Sequence, residues 1–417
     1  MDINDNILLE KIAEEYGTPY QIYDENGIRN NIKNLLRSFK SKFPTFKQFF
    51  AVKATPNLNI LKIMIDEGCG IDCSSYAELM FAKMLNIGGD LIMYTSNYTE
   101  KKDLKLALEL NANINLDDVS ILDDLIEINN NKSPEKICFR LNPGLGHSDS
   151  ETISNVLGGE NSKFGISKDD IIIGYKRAKE FGSKRFGLHM MTGSCVLDEN
   201  YWNSTIEVMF EVVNELHKNN IVLEYINIGG GIGISYKPDD KQVCIESLSD
   251  TIYNKYNECI KKYNLNYNPS VYMENGRYIT GNFGWLVSRC HVIKKTNGKI
   301  FYGLDASMAN LMRPGMYGSY HDITIPKYNN LNTPKIKANV VGTLCENNDW
   351  FAKERELPEA QKYDLFVIHN TGAHGHSMGF NYNSKFRAPE ILFKENKEIK
   401  LIRKRETTDD LINLICF

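Results

Sequence analysis

The chain has no apolar run approaching the ~20 residues needed to span a bilayer, which argues against a helical membrane protein. It has no blocks of like charge either. The formal net charge of -4 is spread along 417 residues, so neither nucleic acid nor an anionic membrane surface is favoured as a partner. Met1 to Tyr16 lack the basic and then apolar character of a secretory leader, and no signal peptide is expected there. The nine cysteines are odd in number and without framework spacing, which excludes a disulfide scaffold and fits a reducing, cytoplasmic setting. Cys69 and Cys73 are too isolated to form a zinc site. There is no repeat of fixed period and no low-complexity segment. What remains is a globular composition, 42% hydrophobic and 24% charged, too long for one ordinary core. A small molecule is the default partner.

Residues 25–280 alternate strand and helix signals. Strand-like runs include Gly70–Cys73, Leu91–Tyr94, Ile114–Leu116, Lys136–Leu141, Phe186–Met190 and Tyr225–Ile228, with helical apolar spacing between them. About eight such units before Tyr272 point to an α/β fold, a parallel (β/α)8 barrel of the TIM type. In such a barrel the chemistry sits at the carboxyl ends of the strands. From residue 281 to 417 the signals turn strand-rich, as in Trp285–Ile293, Ile336–Val341 and Leu365–His369. A second, mostly β domain is expected there, with residues 1–24 adding a strand.

Several stretches could carry chemistry. Phe49-Phe50-Ala51-Val52-Lys53-Ala54 places one lysine in an apolar strand-like run, where an ammonium is costly unless the neutral amine is used, as in Schiff-base formation. By itself such a lysine usually snorkels to water from a strand end. Gly229-Gly230-Gly231-Ile232-Gly233 follows a strand late in the barrel, where backbone amides can cradle a phosphate, although a glycine cluster is more often only a tight turn. Its spacing does not match a dinucleotide fingerprint. Glu274-Asn275-Gly276-Arg277 follows the strand Val271–Met273. The carboxylate there could keep a pyridine-type nitrogen protonated and the arginine could bind an anion. A surface salt bridge is the plain alternative. Arg313 lies among apolar residues and a proline, an expensive position for a fixed charge without an anionic partner. Cys345-Glu346-Asn347-Asn348-Asp349 follows a strand, and Asn381-Tyr382-Asn383 lies in a loop. A cysteine is usually a small buried hydrophobe, but on a loop beside Glu346 it could donate a proton.

In this order and at these separations, the segments resemble the fold-type III pyridoxal-phosphate decarboxylases, and within them the diaminopimelate decarboxylases. The likeness runs from Gly17-Thr18-Pro19 to Leu401–Arg405. It includes Asn142-Pro143-Gly144 and Gly159-Glu160-Asn161-Ser162-Lys163-Phe164-Gly165. It implies an alanine-racemase-like architecture, a barrel plus a β-sandwich or β-barrel domain, with pyridoxal 5'-phosphate as cofactor. Lys53 would carry the cofactor as a Schiff base. Asp72, His189, Met191, Ser194, Gly230, Gly231, Glu274, Gly276, Arg277 and Tyr382 match cofactor-contacting positions, and Glu78 is a second acid near the lysine. Cys345 matches a proton donor supplied by the other subunit, so a homodimer with shared active sites is implied. Arg277, Arg313, Tyr317, Glu346 and Tyr382 match residues that grip the far end of the substrate. Two arginines there call for a distal carboxylate, so the implied reaction is decarboxylation of meso-2,6-diaminopimelate to L-lysine.

Three positions depart from the family's pattern. Met191, in Met191-Thr192-Gly193-Ser194, stands where a ring-stacking histidine is usual. Asn275 replaces a proline, and His374 replaces a tyrosine, with His376 two residues on. The histidines read as loop residues rather than a metal pair, and no metal is expected. The alternatives are a decarboxylase of another basic amino acid (ornithine, lysine or a D-amino acid), a racemase on the same barrel, or a non-catalytic binding relative. The cysteine loop speaks against the racemase. Joint retention of Lys53, Glu274, Arg277 and Cys345 speaks against the binding protein.

Overall fold

The computed structural model describes residues 1–144, 147, 148, 159, 162–329 and 333–416, so Glu160 and Asn161 of the Gly159–Gly165 motif lie outside it. The chain divides into two compact units: residues 31–234 with 241–278, and residues 1–30 with 235–240 and 279–417. The sequence reading had placed the divisions at 24/25 and 280/281. The short segment 235–240, inside the barrel span in that reading, groups with the β-rich unit.

The first unit holds a closed barrel of eight parallel strands: β1 (Lys47–Ala51), β2 (Gly70–Cys73), β3 (Ile92–Ser96), β4 (Asn113–Leu116), β5 (Lys136–Leu141), β6 (Arg185–Met190), β7 (Leu223–Asn227) and β8 (Ser270–Met273), with β8 closing on β1. Parallel strands buried on both faces read as apolar runs, and nearly every residue of these strands is buried. Helices with one apolar stripe join them, such as Tyr201–Lys218, which buries Trp202, Ile206, Met209, Phe210, Val213 and Leu216.

The barrel interior is plugged by one apolar layer. Phe49, Met93, Cys138, Tyr225 and Tyr272 form a buried cluster, with the Tyr225 and Tyr272 rings stacked at 4.4 Å. Gly70 and Gly187 complete the layer, because a Cβ on either would strike the Phe49 or Tyr225 ring. Strand side chains alternate with period two. The inward residues next after this layer, toward the carboxyl ends, are therefore Ala51, Asp72, Thr95, Arg140, His189, Asn227 and, just past β8, Glu274. The same alternation on β4 carries the buried Asn113 to the buried Asn115. Above the apolar layer, the carboxyl end of the barrel is lined mostly with polar groups.

The second unit contains a nine-stranded sheet. Its main path runs Trp350–Pro358, Lys335–Val341, Lys299–Leu304, Gly284–Thr296, Tyr20–Asp24, Glu390–Phe393 and Ile399–Arg403. Leu365–Ile368 pairs with Gly284–Thr296 and with Ile323–Thr324. The expected N-terminal strand is present: Tyr20–Asp24 is antiparallel to Gly284–Thr296 and parallel to Glu390–Phe393. Two apolar clusters pack on this sheet, one around Tyr302, Phe351 and Phe366, the other around Leu9, Tyr20 and Trp285.

Candidate active site

Lys53 departs from the sequence expectation. The strand ends at Ala51, and Val52–Ala54 form a 3-10 turn. That turn lifts the lysine off the barrel wall, so its side chain is 55% exposed rather than buried, with Nζ 3.7 Å from Asp72 Oδ2. Gly276 accounts for the neighbourhood of this turn: a Cβ there would lie 2.6 Å from the Ala54 Cβ, so the segment after β8 closes onto the lysine turn only as glycine.

Glu274 is buried and held by side chains from three strands. Oε2 faces His189 Nε2 at 3.0 Å, Oε1 accepts from Asn227 Nδ2 at 2.6 Å, and the Thr95 hydroxyl donates to Oε1 at 3.4 Å. Burial alone would raise its pKa, but the His189 imidazole, the Lys53 ammonium and the Asn227 amide outweigh it, and the carboxyl is held below its usual range. Asp72 goes the other way. Burial and the charge of Glu274 push it well above the carboxylate range, with Lys53 only partly offsetting them. Two neighbouring carboxyls are thus driven apart, Glu274 ionised and Asp72 toward the protonated form. Glu78 is also raised, by burial, against the donating Ser74 N–H at 2.6 Å.

The glycine loop after β7 lies against this group. Gly229 and Gly231 have φ of 70° and 105°, and a Cβ on Gly230 would lie 2.4 Å from the Glu274 carbonyl oxygen. Met191, at the variant position, rests on the loop: its sulfur accepts from the Gly230 N–H at 3.2 Å. Ser194 is half-buried in Gly193–Ser194, and the Gly193 carbonyl oxygen would be 2.5 Å from a Cβ on Gly231. Asn275, another of the three variant positions, is fully buried. It donates to Gln48 Oε1 at 3.0 Å and accepts from the Ile232 N–H at 3.4 Å, so an amide links β1, the glycine loop and the end of β8. Arg277 opens the short helix Arg277–Thr280.

The remaining candidates lie in the β-rich unit and are brought together there. Asp349, buried, shapes the cysteine loop by accepting from Met308 N–H at 2.6 Å and Leu344 N–H at 2.8 Å. Cys345 is exposed. Its N–H donates to Asn383 Oδ1 at 2.7 Å, and its carbonyl accepts from Tyr382 at 3.4 Å, which joins the cysteine loop to the Asn381–Asn383 loop. The side chain of Glu346 accepts from the Asn348 N–H at 3.1 Å. Arg313 and Tyr317 are the ends of the helix Arg313–Tyr317. Gly315 lets that helix approach the cysteine loop, since a Cβ there would lie 2.4 Å from Asn348 O. Arg313 is buried, and donates to Tyr236 Oη at 3.1 Å and to Ser319 Oγ at 3.2 Å. His376 is not in a loop: it is buried and opens the 3-10 turn His376–Met378, where its ring contacts Ala388 O at 3.0 Å and Arg387 at 2.9 Å.

A family model described as the pyridoxal-dependent decarboxylase, pyridoxal binding domain, matches residues 29–281. The chain belongs to the pyridoxal-dependent decarboxylase family. Among curated members it is 39% identical to Protein TabA of Pseudomonas amygdali pv. tabaci, covering 97% of this chain and 92% of that one. It is 37% identical to a diaminopimelate decarboxylase of Methanothermobacter thermautotrophicus, covering 96% and 92%. A crystal structure of the diaminopimelate decarboxylase of Methanocaldococcus jannaschii with L-lysine superposes with a TM-score of 0.88 at 30% identity, over 97% and 94% of the two chains.

The residues present fit this family's cofactor. The glycine loop is a backbone cradle that a single Cβ would fill, which suits a phosphate. Beside it, an ionised buried carboxylate suits a protonated ring nitrogen, and an exposed lysine at a strand end suits an aldehyde. Sequence reasoning missed Thr95, Asn227, Asn115 and the buried pair Arg140–Asp117, joined at 3.3 Å with Phe164 stacked on the guanidinium at 4.5 Å. The signal that finds four of them is positional: Thr95, Asn115, Arg140 and Asn227 each lie two residues beyond a buried position on the inward side of a barrel strand. Among the described residues no helix is long and apolar enough to cross a membrane.

Proposed function

We propose that this enzyme decarboxylates meso-2,6-diaminopimelate to L-lysine and CO2 with pyridoxal 5'-phosphate. When bound, the cofactor supplies an electron sink for the pair left on the substrate's α-carbon as CO2 departs. Lys53 would hold the cofactor's aldehyde carbon and yield it to the substrate amine. Ser194, Gly230, Gly231, Gly276, Arg277 and Tyr382 would hold its phosphate and edge. Glu274 would keep a proton on the ring nitrogen, with His189, Asn227 and Thr95 holding Glu274 in its ionised form. Asp72 borders the lysine, and Met191 lines the glycine loop. Cys345 Sγ would return a proton to the carbon that lost CO2, which becomes Cε of L-lysine.

Arg313 carries the choice of substrate. Its guanidinium is buried and fixed in orientation by Tyr236 and Ser319, which prepares it for a carboxylate. Arg313 and Arg277 would take the substrate's distal carboxylate, and Glu346 with Tyr317 its distal ammonium. We further propose a cytoplasmic homodimer in which Cys345 serves the second copy's site. All nine cysteines are free thiols, in keeping with a reducing compartment. A second reading, the same chemistry on another amino acid, draws on Met191, which departs from the family's pattern beside the glycine loop.

CO2 release from meso-diaminopimelate, L-ornithine and L-lysine by the holoenzyme separates the two. Diaminopimelate should be preferred by about 1000-fold or more in kcat/KM, since a site built for a charged group rejects substrates lacking it. A preference for ornithine or lysine would overturn the assignment and leave the cofactor chemistry standing.

A further inference from the structure

The segment Ser235–Asp240 follows the glycine loop directly in sequence but belongs to the β-rich unit. It is tied there by Asn370, which donates to Ser235 O at 3.1 Å. Asp240 closes it by accepting from the N–H groups of Tyr236 and Lys237, each at 2.8 Å. The one large side chain this small loop buries is Tyr236. Its ring lies under the Arg313 guanidinium, 4.7 Å from the ring centroid to Cζ, and its hydroxyl accepts from the same guanidinium at 3.1 Å. Beneath the tyrosine is His321, fully buried, with its ring 5.0 Å away and edge-on at 70°. The His321 Nδ1–H in turn donates to His369 O at 2.8 Å.

From this stack we infer that Tyr236 is a specificity-determining positioning residue: it orients Arg313 for the carboxylate at the far end of the substrate, with His321 fixing the tyrosine. Two features support this. An arginine on a five-residue helix has four rotatable side-chain bonds, and a bidentate bond to a carboxylate needs its planar fork held in one orientation. An aromatic face plus a phenol oxygen fix that plane from one side. An acid at position 236 would instead neutralise Arg313 and compete with the substrate. The inference rests on the proposed diaminopimelate reaction and adds to it a residue outside the set implied by the family resemblance.

The test compares wild-type holoenzyme with Tyr236→Phe, which keeps the ring and loses the hydroxyl, and Tyr236→Leu, which loses both. L-Lysine retains the amino-acid end that Arg313 would hold; cadaverine lacks that carboxylate. Tyr236→Leu should weaken inhibition by L-lysine and raise KM for diaminopimelate by about tenfold, with kcat within about twofold and inhibition by cadaverine unchanged. Tyr236→Phe should show about a third of that effect on the same constants. A merely structural role would weaken cadaverine and lysine together or lower kcat, and either result overturns the inference. So does a Tyr236→Phe enzyme with unchanged constants, should the leucine variant fail to fold. If wild-type protein decarboxylates ornithine but not diaminopimelate, the functional assignment itself fails. If it turns over diaminopimelate and both variants match it, only the role of Tyr236 fails.

Discussion

At the carboxyl end of the barrel, Glu274 is buried and held by side chains from three strands. In the β-rich unit, Cys345 is exposed and held chiefly through its backbone. The contrast follows from what each group has to do. A carboxylate that must stay ionised at all working pH values needs fixed donors in a dry site, and the inward faces of a barrel supply them without further loops. A thiol that gives up a proton to a bound substrate must be reachable. It sits on a loop that can be rebuilt without disturbing a core. On the proposed mechanism, the group that faces the cofactor ring is held by strands, and the group that faces the substrate rides on turns anchored by Asp349, Asn383 and Gly315.

The largest expected break of this contrast is Lys53→Ala. Activity should fall by at least about 1000-fold if Lys53 holds and exchanges the cofactor as proposed, while thermal stability stays near wild type because the side chain is half-exposed. Glu274→Gln should cost about 100- to 1000-fold in kcat, measured at saturating substrate. Cys345→Ala should reduce kcat by about 100-fold, the range for a general acid. Its unfolding free energy should change by less than about 0.5 kcal/mol, as expected at an exposed loop position. A Cys345 variant that unfolds the protein, or a Glu274 variant with full activity, would erase the difference between the two regions.

Proton linkage sharpens it further in the cofactor-free protein. Glu274, lowered in the fold, contributes stability above its unfolded pKa of about 4.3 that is lost as pH falls through its folded value. Asp72, raised by burial and by Glu274, contributes stability below its unfolded pKa of about 3.9 that is lost as pH rises through its folded value. Urea melts across pH should therefore show Asp72→Asn gaining stability relative to wild type as pH rises, and Glu274→Gln losing it. Slopes of the same sign would contradict the opposite shifts of the two carboxyls.

Much of this was legible in the sequence, for reasons that differ by element. The barrel strands announce themselves because burial on both faces leaves short runs rich in apolar residues, and Lys136–Leu141 has the ends its sequence suggests. Lys53 was placed in the strand because Phe49–Ala54 gives no turn signal, yet the chain turns at Val52 and exposes the amine. Asn227 and Thr95 were hidden by their neutrality, and only their place two residues beyond the apolar layer marks them. Asn275 stands where proline is usual in the family. Its amide does what proline could not, bonding to Gln48 and Ile232 at once. Tyr236 could not be read at all, since its meaning depends on which unit its loop joins.

The smallest expected effect probes the backbone anchor of the thiol. Asn383→Ala removes the acceptor of the Cys345 N–H, and alkylation of Cys345 should speed up by about fivefold or less, with the exposed Cys244 and Cys416 as internal references.

The most direct measurement is borohydride reduction of the holoenzyme followed by peptide mapping of the fixed cofactor. A pyridoxyl group on the peptide bearing Lys53, at one per chain, is the predicted result. A pyridoxyl group on any other lysine, or none on a protein that still releases CO2, would contradict it.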